Sequence, residues 1–221
     1  MLNEITVSDD VYALRPDYVA LILVVTGLPS GPSDDYSREL LAKSALAEGT
    51  DHPHVAAWQD AYRAFGAKPN RTRPSVDALL RRVQSGLPVV NRVVDIYNAV
   101  SVRHGIPIGG EDTDAYRGSA RLLRATGNER FDTVEAGAVV DQPPLPGEVV
   151  WRDDEGVTCR RWNWRQCVRT RITESSASGF FILERLAPLA LDQLHAAGDE
   201  LAGHLRELAP TAAISQRLCG A

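Results

Sequence analysis

Lysine is nearly missing from this chain: of its 24 basic residues, all but Lys43 and Lys68 are arginine. Alanine is abundant as well, and GC-rich coding accounts for both biases. A single arginine therefore says less than usual about bidentate anion recognition. Nor is there an excess of positive charge. The formal net charge is −5, whereas domains that hold nucleic acid by bulk electrostatics are strongly basic; only a local basic patch stays open. Cysteine is scarce too. Cys159, Cys167 and Cys219 are too few and too uneven for a disulfide framework. Cys159 and Cys167, with no histidine near them, do not match a zinc spacing, so no metal is expected. The longest apolar run, YVALILVV at 18–25, is too short to span a membrane, and residues 1–17 lack the apolar core of a secretory leader. These absences lead us to expect a reduced, cytoplasmic protein without a membrane partner.

Motifs are also lacking. There is no G-x-S-x-G, P-loop, H-E-x-x-H or dinucleotide fingerprint, and no close Ser/His or Cys/His pair from which to build a nucleophile. No cofactor is implied. His52, His54, His104, His195 and His204 read as structural or solvent-facing residues. GGEDTD at 109–114 lacks the spacing of a calcium loop and reads as a polar turn capped by Asp112 or Asp114.

What is present is ordinary globular composition, 44% hydrophobic and 24% charged over 221 residues, enough for one domain with a full core. Residues 18–28 read as a strand buried on both faces. A helix capped by Ser33 or Asp34 runs to about Glu48, where Gly49 ends it. Val55, Trp58, Tyr62 and Phe65 form one helical stripe closed by Gly66. After a basic, proline-bearing loop at 67–75, Ser75 caps a helix that Gly86 stops. Valines at helical spacing predict a further helix over 87–105, interrupted by Asp95 and Asn98. A buried Asn98 either ties that helix to neighbouring backbone or holds a substrate or water. An extended Ile-Pro pair, a Gly-Gly turn and a short strand at 119–125 follow. Residues 126–147 are turn-rich. A hairpin at 148–173, an apolar strand at 179–186 and a closing amphipathic helix at 188–208 complete the chain. The pattern is α+β, in one domain over residues 1–221.

The stretch CRRWNWRQC, 159–167, carries the strongest polar signature. Read as a strand over 157–172, its even positions hold Trp162, Trp164, Val168, Thr170 and Ile172, and its odd positions hold Arg161, Asn163, Arg165, Arg169 and Arg171. Tryptophans in the core and arginines in solvent are one outcome. A phosphate-tracking groove or the wall of a concave pocket is another.

FGAKPNRTRPSVDALLRRV, LPVVNRVVDIYNAVSV, IPIGGEDTDAYRG, GEVVWRD and CRRWNWRQC, in that order, resemble the B3/B4 domain. This is the editing, tRNA-binding domain of the phenylalanyl-tRNA synthetase β subunit. The resemblance covers about residues 54–208, and no synthetase catalytic domain is expected in these 221 residues. It implies a mixed, mostly antiparallel, barrel-like sheet wrapped by helices. It also implies a free-standing factor that hydrolyses mischarged aminoacyl-tRNA, its partner being the aminoacylated 3′ end. By position, Arg92, Asn98 and Glu184 fall on catalytic or recognition residues. Tyr97, Gly109, Gly110, Trp162, Asn163 and Arg165 fall on the substrate-binding wall. Gly109 stands where the synthetase has a histidine, Tyr97 where it has a small hydroxyl residue, and RWNWR replaces a glycine-rich pocket loop. Hydrolysis needs no nucleophilic side chain, since the ester is already activated and placing water suffices. Two other readings stay open: an RNA-binding module without catalysis, and a binder of amino-acid-like small molecules.

Overall fold

The computed structural model describes residues 5–44 and 52–220. Strand β1 (Thr6–Val7) and helix α1 (Asp9–Leu14) lead into β2 (Val19–Thr26). Helices α2 (Asp35–Ser44), α3 (Pro53–Ala64), α4 (Ser75–Leu80) and α5 (Arg92–His104) follow. Then come β3 (Ile108–Asp112), β4 (Arg121–Arg124), β5 (Asp132–Glu135), β6 (Ala138–Asp141), β7 (Val149–Arg152), β8 (Val157–Arg160), β9 (Arg165–Gln166) and β10 (Ser178–Arg185). Helix α6 (Leu191–Leu208) and β11 (Ala213–Cys219) close the chain. The α+β class holds. The expected glycine stop at Gly49 lies outside the described residues.

A four-stranded antiparallel sheet, ordered β11-β2-β10-β3, is the centre of the molecule. Its two faces explain why 18–28 is apolar without alternation. Leu21, Leu23, Phe181 and Leu183 point to one face and pack on α5 and α6 through Val93, Leu194 and Leu201. Ala20, Ile22, Phe180 and Ile182 point to the other and pack on Leu122, Trp151 and Trp162 of a second sheet, ordered β1-β4-β7-β8-β9. The layers are therefore helices, sheet and sheet. Neither large sheet closes on itself, so the barrel-like expectation is corrected. The free edge of β3 carries the isolated bridge Glu111–Arg171, and α5 packs beside it.

Local chemistry sets the helix ends. Asp34 caps α2, accepting from Ser37 N at 2.9 Å. Gly105, at φ 64°, ends α5 in the left-handed region. Helix α5 begins at Arg92 rather than at 87. Asn91 caps it by accepting from Val94 N at 3.0 Å, and buried Asp95 accepts from Val90 N at 2.8 Å. Those two side chains hold the preceding residues extended, and Val90 is exposed. Ser75 is not a cap: Pro74 holds the cap position without a side-chain bond, and Ser75 Oγ is buried without a partner among the described residues. His54 is buried. Its ring bonds Gly105 O at 2.8 Å through Nδ1, while Nε2 accepts from Trp58 and from the Leu186 amide. Burial lowers its pKa to about 4, so it is a neutral, structural histidine.

Two further expectations change. Gly109 and Gly110 lie inside β3, not in a turn, paired with Ile182 and Phe181. The stretch 157–172 is not one strand. It turns at 161–164, where Arg161 and Trp162 have φ of 50° and 68°. Left-handed conformations for such residues cost roughly 1–2 kcal/mol each. Here they let Trp162 enter the core and swing Asn163 inward.

Candidate functional site

A cavity of about 140 Å³ lies between the two sheets, beside the β3 edge and under the 161–164 turn. Strand alternation delivers Glu184 and Ile182 from β10 and Gly109 and Glu111 from β3 to the face that looks at the second sheet. Gly109 contributes bare backbone, and the nearest atom to a Cβ placed there is Gln166 Nε2 at 3.8 Å. Helix α5 adds Tyr97 and Asn98, the turn adds Trp162 and Asn163, and β9 adds Arg165.

Glu184, 2% exposed, organises the floor. Its Oε1 accepts from Tyr18 Oη at 2.8 Å and Trp151 Nε1 at 3.2 Å; its Oε2 accepts from Asn163 Nδ2 at 2.7 Å. Asn163 is fixed in turn by Tyr62 Oη, which donates to Oδ1 at 2.8 Å. Burial pushes the Glu184 carboxyl up to about 7, and the hydrogen bonds from Asn163, Tyr18 and Trp151 oppose that rise. Glu111 is the second buried carboxyl. Burial takes it to about 8, against hydrogen bonds from Thr170 and Gln166. Burial also raises the pKa of the Cys159 thiol on the same wall, which makes it a poor nucleophile.

Asn98 is the opposite case. It is 8% exposed and lines the cavity, yet its amide bonds no described residue. Its amide atoms stay open to the cavity, where they are free to bond an occupant. Ser75 Oγ and Trp162 Nε1, on the same lining, are buried without a hydrogen-bond partner among the described residues.

The structure thus brings together Asn98, Glu184, Tyr97, Gly109, Trp162, Asn163 and Arg165 on one cavity. Two residues fall elsewhere. Arg92 is outside it, its Nε 2.8 Å from Asp34 and its Nη1 donating to Pro29 O. Gly110 is behind the wall, its Cα closely covered by Phe181 and Tyr97; its carbonyl accepts from Gln166. Glu111, Gln166, Ser75 and the Tyr18–Tyr62–Trp151 network were not read from the sequence. A strand reading of 108–112 would have signalled Glu111, two positions from Gly109. Among the described residues no group of three histidine, cysteine or acidic side chains is arranged to hold a metal, and no helix is long and apolar enough to cross a membrane.

A family model described as the B3/4 domain matches residues 57–197. Among solved structures, the chain is similar to an N-terminal fragment of the phenylalanyl-tRNA synthetase β subunit from Pyrococcus horikoshii. The TM-score is 0.52 at 13% identity, covering 97% of this chain and 53% of that one. The chain therefore spans about half the length of that relative, and at this identity the likeness is one of fold. No curated protein matches.

Proposed function

The chain belongs to the B3/4 domain family, and from that premise we propose that it is a trans-acting hydrolase of mischarged aminoacyl-tRNA. The observation that carries this reading is the cavity with its uncommitted Asn98 amide. At about 140 Å³ it matches the roughly 150 Å³ that accommodates a benzene ring in a protein interior. It takes an amino-acid side chain, but not a nucleoside. The terminal adenosine then stays at the rim, where Trp164 and Arg165 lie.

On this reading Asn98 holds the ester carbonyl. Glu184, about half ionised at neutral pH because its pKa is near 7, is poised to accept a proton from water. Asn163 and Tyr62 keep its carboxylate in place. No covalent intermediate and no metal is needed, since an aminoacyl ester is already activated. A reduced, cytoplasmic site of action, where charged tRNA is found, goes with this reading.

Incubating purified protein with a panel of mischarged tRNAs tests it. Release of the amino acid from at least one member, reduced at least about a hundredfold in Asn98→Ala, is expected. If no member of the panel is deacylated, the hydrolase reading is wrong. Salt-sensitive tRNA binding without release would then favour a binding module.

A further inference from the structure

Outside the cavity, the strongest unexplained feature is a basic surface on an acidic chain. The segment after α3 is a loop tied together by its own hydrogen bonds. The Arg71 and Thr72 amides both donate to Lys68 O, at 2.9 and 3.0 Å, and Arg73 Nη1 donates to Pro69 O at 2.9 Å. Pro69 and Thr72 are buried, which leaves Lys68 and Arg71 exposed. Two grooves flank this loop. One, of about 530 Å³, is lined by Arg63, Lys68, Asn70, Arg73 and Arg81. The other, of about 400 Å³, is lined by Lys68, Arg71 and Arg161.

Acids among the described residues answer only half of these six cations. Arg63 pairs with Asp60, Arg81 with Asp77, and Arg161 with Glu148. Lys68 and Arg71 make no ion pair with any described residue. Beyond Arg161 the surface reaches the cavity rim. There the Arg161 and Arg165 guanidiniums lie over Trp164, their Cζ atoms 4.9 Å and 4.6 Å from the centroid of its ring. A cationic track that ends on an aromatic platform suits a phosphate backbone running into an unstacked strand end.

We propose that this surface is the RNA-docking site. The phosphates of a duplex stem lie on Lys68, Arg71 and Arg73, and the single-stranded 3′ end passes over Trp164 and the two arginines on it before entering the cavity. The proposal rests on the tRNA reading above but concerns a different surface from the chemistry. It also reconciles tRNA binding with a net charge of −5, because steering depends on where the positive charge is concentrated.

The test uses the Lys68→Glu/Arg71→Glu double variant, with Arg38→Glu, at an exposed position of α2, as a charge control. Binding of deacylated tRNA is measured over a salt series, and hydrolysis of a short aminoacyl-nucleoside ester serves as the stem-independent readout. The double variant should lose about tenfold or more in tRNA affinity and about two from the slope of log affinity against log salt. It should hydrolyse the short ester at the wild-type rate. Wild-type tRNA affinity in the double variant, or an equal loss in Arg38→Glu, overturns the docking site, as does failure of the native protein to bind tRNA at low salt. Absence of short-ester hydrolysis in the native protein counts against the hydrolase reading and leaves the binding measurement intact.

Discussion

Asn98 and Asn163 are the same residue type on one cavity, and the structure gives them opposite energetics. Asn163 is bonded on both sides, to Tyr62 and to Glu184. Asn163→Ala should therefore destabilise the protein by about 1–3 kcal/mol, because it strands two buried groups. The Asn98 side chain bonds no described residue, so Asn98→Ala should cost less than about 1 kcal/mol while lowering the proposed hydrolysis at least about a hundredfold. Chemical denaturation of both variants checks the contrast. Glu184 supplies a second prediction. Its folded pKa, about 7, is above its ordinary 4.5. The stability it contributes is fully present below about pH 4.5 and is lost as pH rises through 7. Thermal melts of the native protein should fall in Tm over that window, and Glu184→Gln should show a smaller fall. An identical pH profile in the variant would mean that the carboxyl stays ionised.

At the scale of elements, the approach of α5 to the β3 edge shapes the cavity. A Cβ at Gly110 would lie 2.9 Å from Phe181 Cε1 and 3.0 Å from Tyr97 Cε1. Gly110→Ala should destabilise by about 1–3 kcal/mol through overpacking. It should also displace Tyr97 and lower hydrolysis, although residue 110 does not line the cavity. A variant with native stability and rate would show that the β3–α5 contact yields freely. The start of α5 shows why the sequence misplaced an element end. Valine spacing continues back through Val90, but Asn91 and Asp95 bond backbone that the helix would otherwise use. Side-chain capping overrides periodicity there. The 161–164 turn escaped for a related reason: it contains neither glycine nor proline, and its two left-handed residues are held by burial of Trp162 rather than by local preference.

For the whole molecule, the central sheet is shared by two cores, one facing the helices and one facing the second sheet. Trp58, Trp151 and Trp162 report on the second core, and far-ultraviolet dichroism is dominated by helices, of which the three longest on the first core's side, α2, α5 and α6, hold most of the helical residues. A single domain predicts that denaturant unfolding followed by tryptophan fluorescence and by dichroism coincides. Separated midpoints would mean that the two layers unfold independently.

Sequence pattern accounts for the α+β class, strands β2 and β10, the Asp34 cap of α2, the Gly105 end of α5 and the family. Each of these follows from local pattern or from motifs in order along the chain. It also named seven residues of the cavity. The tertiary structure alone decided that Arg92 is spent on Asp34, that Asn163 faces inward, and that Glu111 and Glu184 share a wall. Those outcomes depend on sheet register and on a strained turn joining segments dozens of residues apart. A period of two along one strand says which residues share a face, but not which face another sheet will cover.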